Sequence, residues 1–357
     1  MNDKIKLKNI YNHVKETLAD AGITDIAEAD FLLCEALKIN RSGLMSKLLA
    51  GDNGNGVLTK QQGQAVNKLL RERAKGRPLD KIVKHKNFYG QEFYVNKNVL
   101  SPRKETELLA ECVIDFINKN FVSATTPPAS QAPLHGGEFI GNLAEASDEA
   151  KISSSNSRGV TPASKLIRGP AALPVGRRAR VLDLCTGSGC VAITIAKNCK
   201  CEVTACDVSK KALAVARKNI KYKISDINGG SCLIKNSPLV KLILSDMFKS
   251  LNPKDRFDII VCNPPYIKSG NIEHLDKEVK DYDPRLSLDG GADGLKFYKI
   301  IAGEAHKFLN PNGVLMLEIG FDQAEAVTKL LKNKYKNIEV IKDYGGQDRI
   351  VKVKTKK

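Results

Sequence analysis

From residue 179 to the C-terminus, apolar strand-like runs alternate with amphipathic helix-like runs, and that order leaves few folds open. The strand-like runs are "ARVLDLC", "EVTACDV", "KLILSDM", "FDIIVCN", "GVLMLEIG", "IEVIKDY" and "RIVKVK". Helical runs lie between them: "CVAITIAKN", "SKKALAVARKNIKYK", "LKFYKIIAGEAHKFL" and "DQAEAVTKLLKNKY". The pattern predicts an α/β protein with a Rossmann-like doubly wound sheet. Only "GGQD" joins the last two strands, too short for a crossover, so these two must run antiparallel. Ser209 and Asp322 are predicted N-caps, with Glu325 completing a capping box. Ligands of such sheets sit beyond the carboxyl ends of the strands, so the residues just after each strand are the candidates.

Ahead of the sheet the periodicity is helical. Residues 1–85 hold "IYNHVKETLADAG", "DIAEADFLLCEALKI" and "TKQQGQAVNKLLRERAKG", with Thr59 as a cap and Gly76 as a stop, and they predict a small bundle. Residues 86–121 read as a short hairpin around Gly90, then a helix in which Thr106 precedes "ELLAECVIDFINKNF". Residues 122–178 are rich in Ser, Ala, Pro, Gly and Thr. Such a segment buries too little apolar surface to offset its ordering entropy, and a disordered insertion is expected. Residues 179–357 form the sheet domain.

No run approaches the ~18 uncharged apolar residues of a membrane span, and the N-terminus has no apolar signal region, so a soluble cytoplasmic protein is expected. Nine cysteines fall mostly inside apolar runs with no C-x-x-C spacing, which predicts reduced core thiols and no metal site. The 57 Lys and Arg against 40 Asp and Glu give a net charge of +17, which suits a polyanionic partner or merely solvated lysine faces. Charge alone decides nothing.

"VLDLCTGSGCVAI" sets Gly187 and Gly189 between the first strand and its helix, where backbone can approach a ligand closely. With Ala192 this satisfies G-x-G-x-x-A, and Asp207 lies near the ~20-residue offset expected of a ribose-binding acid. The pattern fits a nicotinamide dinucleotide or S-adenosylmethionine. Asp183, just before the loop, would crowd a pyrophosphate but suits a cationic sulfonium ligand with its ammonium group. Asp246, in "SDMF", could meet an adenine amino group, and Met247 or Phe248 its ring face.

The fourth strand stops in Asn263-Pro264-Pro265-Tyr266. An amide or aromatic amine is a poor nucleophile because its nitrogen lone pair is delocalised. Two acceptors aimed at its N–H bonds can orient it and stabilise positive charge building on nitrogen. The Asn263 side-chain oxygen and the Pro264 carbonyl suit that task, and proline rigidity preorganises them. Tyr266 would wall the planar group from water.

Taken together, "LSPRKETELL", "DLCTGSGC", "ACDVS", "SDMF", "CNPPYI", "DYDPRLSLDGGADGL" and "DYGGQDRIV" resemble the PrmC/HemK family of release-factor glutamine N5-methyltransferases. The resemblance runs from about residue 70 to the end, the insertion excepted. It implies a class I methyltransferase fold, S-adenosylmethionine as cofactor, and as substrate the glutamine of the Gly-Gly-Gln motif in peptide-chain release factors. It implies that residues 1–85 recognise the release factor; separately, a monomer that needs no nucleic acid for catalysis is expected. Cofactor contacts implied are Cys185, Thr186, Gly187, Ser188, Gly189, Asp207, Met247 and Asn263. Substrate contacts implied are Asn263, Pro264, Pro265 and Tyr266. Arg103, Glu105 and Glu107 match a segment that would cap its helix and wall the cofactor site. Cys185 stands where glycine is common, Lys104 where proline is, and Met247 where an aromatic is frequent. The Asn-Pro-Pro-Tyr motif is shared with adenine and cytosine amino-methyltransferases, and an enzyme acting on adenine in DNA or RNA is the alternative reading. Gly345-Gly346-Gln347 repeats the substrate tripeptide within this chain, and a hairpin turn is expected there.

Overall fold

The computed structural model describes residues 5–50, 56–121, 177–225 and 240–356. The insertion expected over 122–178 lies outside the described residues, but for its last two. The chain divides into two compact units, Met1–Asn118 with Arg178–Lys357, and Lys119–Arg177.

The N-terminal bundle runs through β1 (Ile5–Lys6), α1 (Leu7–Asp20), α2 (Ile26–Leu37), α3 (Arg41–Leu49), β2 (Val57–Leu58), α4 (Lys60–Ala74) and α5 (Leu79–Val83). Leu7, Val14, Leu18, Leu32, Leu33, Val66 and Leu70 meet in one buried cluster, as the helical spacing requires. Thr59 caps α4 as expected and forms a full capping box with Gln62, while Gly76 follows the helix at φ +85°. The two-residue ladder of β1 on β2, Ile5 opposite Leu58, is too short to leave any alternation in the sequence. Arg73, almost fully buried, donates to both carboxylate oxygens of Glu28 at 2.6 and 3.1 Å and to Glu278 Oε1 at 2.6 Å. One guanidinium thus joins the bundle to the segment that follows the Asn-Pro-Pro-Tyr corner.

β3 (His85–Phe88) and β4 (Gln91–Tyr94) form the expected hairpin, and Tyr89 and Gly90 both take positive φ, as a tight two-residue turn demands. α6 spans Lys104–Phe121, so Thr106 sits inside its first turn and is buried there, not at its edge.

The sheet has seven strands in the order β10-β11-β9-β8-β5-β6-β7. In chain order its elements are β5 (Ala179–Leu184), α7 (Cys190–Asn198), β6 (Cys201–Asp207), α8 (Lys210–Ser225), β7 (Val240–Leu244), β8 (Phe257–Cys262), α9 (Lys277–Lys280), α10 (Lys296–Phe308), β9 (Leu309–Glu318), α11 (Ala324–Leu331), β10 (Tyr335–Lys342) and β11 (Asp348–Thr355). β7, β6, β5, β8 and β9 are parallel, and β11 enters antiparallel between β9 and β10. Each of the seven strand-like runs therefore supplies one strand. All six residues of β8 are buried, which explains why it is apolar but for Asp258, whose carboxylate accepts from Arg180 N and Asn310 Nδ2. From β5 the order runs one way through β6 and β7 and the other way through β8 and β9. The crevice at that reversal, between the ends of β5 and β8, is where such sheets take ligands.

Ser209 caps α8 as expected, accepting from Ala212 N at 3.1 Å. Asp322 does not cap α11. Gln323 takes the cap position without a capping bond, and its side chain instead accepts from Gly320 N and donates to the carbonyls of Tyr266 and Gly294. The turn at Gly345-Gly346-Gln347 is built as expected: Asp343 Oδ1 accepts from the backbone N–H of Gly345 and Gln347, and Gly346 has φ +80°.

Candidate active site

The ends of β5, β6, β7 and β8 bring Asp183, Cys185, Thr186, Gly187, Ser188, Asp207, Asp246, Met247, Asn263 and Pro265 to one cleft. Its empty volume is about 1080 Å³, mouth included, at the upper end of the ~300–1,000 Å³ of small-molecule sites. Arg103, Thr106, Leu286 and Phe297 also line it. Gly189, Pro264 and Tyr266 do not. Gly189 opens α7 behind the loop, Pro264 is buried, and the half-buried Tyr266 ring packs against the core cluster of Leu317 and Tyr298.

The loop between β5 and α7 has left-handed backbone at Cys185 (φ 58°), Gly187 (56°) and Gly189 (80°). A Cβ on Gly189 would lie 3.2 Å from Ala216 Cβ and 3.3 Å from Ile193 Cδ1, so close helix packing as well as φ selects glycine. Cys185 adopts the same region with a side chain, the reason glycine is common at such a position. Its Sγ lies 3.8 Å from Met247 Sδ. Asn219 on α8 braces the loop by donating to Ser188 O at 2.9 Å while pairing both ways with the Tyr94 backbone.

Three acids flank the loop in three different states. Asp183 is buried and accepts from the Thr186 hydroxyl at 2.6 Å. Burial pushes its carboxyl up to about 7, against the Thr186 bond and the Ala192 N–H. Asp207 takes Gly187 N–H on Oδ2 at 2.9 Å and Ser209 N–H on Oδ1 at 2.8 Å. Burial raises its pKa, and those backbone donors oppose the rise. Each oxygen keeps a further lone pair. Asp246 is half exposed at the rim and pairs with Lys249 at 2.6 Å.

At the Asn263 corner, Nδ2 donates to Thr106 Oγ1 at 3.1 Å. No hydrogen bond from the described residues engages Asn263 Oδ1 or the Pro264 carbonyl. The corner is held from behind. Ile267 and Gly290 exchange backbone bonds with Leu288 and Ile267, and a Cβ on Gly290 would come within 2.7 Å of Tyr266 Cα. A Cβ on Gly294 would come within 2.6 Å of the Tyr266 carbonyl. The glycines of "DGGADG" thus exist to let that strap lie on the corner. Asp283 of the same strap meets buried Lys81 at 2.8 Å and Arg103 at 2.9 Å. Arg103 therefore anchors the strap, and Glu107 accepts from Tyr89 N at 2.7 Å in the hairpin turn. Both side chains thus bond outside α6. Glu318, at the end of β9, is fully buried beside Asn263 with its carboxyl pushed up to about 7.

Comparison with known proteins matches the PrmC N-terminal domain to residues 9–83 and the methyltransferase small domain to residues 159–279. A release factor glutamine methyltransferase of Thermodesulfovibrio yellowstonii is 32% identical over 329 residues, covering 92% of this chain and 91% of that protein. The chain belongs to the release factor glutamine methyltransferase family. A second member, from Geobacter sulfurreducens, is 30% identical over 97% of this chain and 95% of its own length. A bifunctional methyltransferase of Rickettsia felis is 35% identical over 295 residues, and this chain spans 47% of it.

S-adenosylmethionine is the cofactor of a methyltransferase of this family, and the cleft fits it. A desolvated Asp183 gains by meeting a cation, Asp207 has lone pairs to spare for ribose hydroxyls, and apolar Met247 and Val208 line the wall beyond. Thr106, Glu318, Gln323 and Asp283 were not singled out from the sequence as site residues, apart from the match of Asp283 to the family strap. Among the described residues, no helix is long and apolar enough to cross a membrane and no acid, His and Cys cluster could hold a metal.

Proposed function

We propose that the chain methylates the side-chain amide nitrogen of the glutamine in the Gly-Gly-Gln motif of a peptide-chain release factor. One observation carries this reading: Asn263, which lines the cleft, spends its N–H on Thr106, and among the described residues neither its Oδ1 nor the adjoining Pro264 carbonyl accepts a hydrogen bond. Two fixed acceptors suit an –NH2 group whose N–H bonds must be held while positive charge grows on nitrogen. S-adenosylmethionine supplies a methyl group on a sulfonium, electrophilic enough to need no further activation. Asp183 and the loop from Cys185 to Gly189 would hold its methionine end, Asp207 its ribose, and Asp246 and Met247 its adenine. Asn263 and Pro264 orient the substrate amide, Pro265 gives its plane a surface, and Tyr266 keeps the corner anchored in the core. Preorganisation replaces general-base chemistry.

The bundle of residues 1–85 would recognise the release factor, residues 86–121 link it to the sheet, and residues 179–357 carry the chemistry. The protein would act in the cytoplasm as a monomer, with no nucleic acid required. Incubation with a release factor and labelled S-adenosylmethionine should add one methyl to the Gly-Gly-Gln peptide, read by mass spectrometry. An oligonucleotide labelled in its place would transfer the assignment to an adenine methyltransferase. Asn263→Ala should lower kcat by about 10²–10³, as does loss of one preorganised polar contact elsewhere. Near-normal turnover of that variant would remove the clamp.

A further inference from the structure

Glu318 closes the apolar run Val314–Leu317 of β9, is 2% exposed, and sits next to Asn263 across the β8–β9 pair, where Cys262 registers with Leu317. Its Oε2 is buried without a hydrogen-bond partner among the described residues. A carboxylate costs several kcal/mol to bury and is seldom left so without a use. The Thr106 hydroxyl and the Asn263 amide both face it. Thr106 is itself buried and accepts from Asn263 Nδ2.

The two ends of a side-chain amide are nearly equal in shape, so only hydrogen bonding decides which faces the crevice. Turned the wrong way, Asn263 would set its oxygen against a carboxylate and present two N–H donors to the N–H bonds of the substrate. We propose that Glu318, with Thr106, is a positioning residue that turns the Asn263 oxygen toward the substrate nitrogen. This rests on the amide-methylation reading above. Glu318 touches neither substrate nor cofactor in this role. It acts by making one amide orientation much lower in energy than the other.

The charge on Glu318 carries that preference. The groups facing it are Glu105 from α6, Arg349 from β11 and Cys190 from α7, besides Thr106 and Asn263. Tyr266 feels its charge, and the Tyr298 hydroxyl from α10 donates to its backbone carbonyl at 2.8 Å. Burial dominates and sets the pKa near 7, so protonation lies within reach of ordinary buffers. A protonated Glu318 can donate to an amide oxygen and tolerates either orientation.

The test measures kcat at saturating S-adenosylmethionine from pH 5.5 to 8.5, and side-chain amide resonances of Asn263 in the free protein over the same range. Wild-type kcat should fall below pH 7 with the uptake of one proton, and the Asn263 signals should titrate with it. Glu318→Gln offers both a donor and an acceptor. It should lose about tenfold in kcat at pH 8, lose both pH dependences, and bind S-adenosylmethionine as before. Thr106→Val should lower kcat and Thr106→Ser restore it. Unchanged cofactor affinity shows that the variants fold. Wild-type kcat and an intact titration in Glu318→Gln would overturn the proposal, as would Asn263 signals blind to pH. If the wild-type chain leaves release factors unmethylated, the substrate reading fails, and the resonances of the free protein still decide the role of Glu318.

Discussion

Replacing Asp183 by asparagine should abolish a pH dependence of cofactor affinity that the wild-type chain carries. Asp183 is buried at the end of β5, and its carboxyl titrates near 7 because desolvation outweighs the Thr186 and Ala192 bonds, with Asp207 adding to the rise. A sulfonium ligand with an ammonium group favours the ionised carboxylate, so below pH 7 binding must release a proton. At pH 6 only about one carboxyl in eleven is ionised beforehand. Affinity should therefore drop about tenfold, or ~1.4 kcal/mol, for each pH unit below the pKa. Titration calorimetry in two buffers of different ionisation enthalpy gives both numbers: the affinity, and a release of about 0.9 proton at pH 6. Asp183→Asn keeps the shape and can still accept from Thr186, so its affinity should be weaker at pH 8 and flat with pH. A flat wild-type profile between pH 6 and 8, or a sloping one in the variant, would refute the pairing of this carboxylate with the cation. The same shift has a stability sign. A carboxyl raised above its unfolded value makes the fold less stable as pH climbs from about 4 to 7, so the free Asp183→Asn protein should gain more stability over the wild type at pH 8 than at pH 5.

Gly290→Ala places a methyl 2.7 Å from Tyr266 Cα. The corner must shift, and kcat should drop on the order of 10²-fold while cofactor affinity holds; steady-state kinetics with a separate binding titration tell these apart. Lys81→Met leaves Asp283 buried with only the half-exposed Arg103 opposite. Denaturant unfolding should report a loss of about 3 kcal/mol, much of it recovered in the Lys81→Met, Asp283→Leu double variant. A double variant no more stable than the single one would show that the pair is not what the site depends on.

The centre of the sheet was legible because β5, β8 and the second half of β9 are buried and rich in Val, Ile and Leu. The cleft was legible because strand ends in such sheets converge, so Asp183, Asp207 and Asn263 could be placed together without contacts. What supports them was not. Thr106 reads as the start of a helix, yet its partner Asn263 is 157 residues away, and no local period records such a pair. Glu318 reads as one polar residue closing an apolar run. Asp322 has the cap signature, but the fold uses the neighbouring Gln323 to hold the Tyr266 carbonyl, and tertiary bonding overrode the local preference. Tyr266 was expected as a wall of the pocket, and the core took its ring instead.

The place of β11 has a consequence for how the molecule comes into being. It is made after β9 and β10, yet it wedges between them. Until residues 348–355 leave the ribosome, β9 shows a bare hydrogen-bonding edge and β10 has no neighbour to pair with, the condition in which nascent chains stick to one another. Vectorial synthesis thus yields a half-built layer that β11 zips shut. A chain halted before Asp348 should be a client for chaperones, however complete its cofactor crevice.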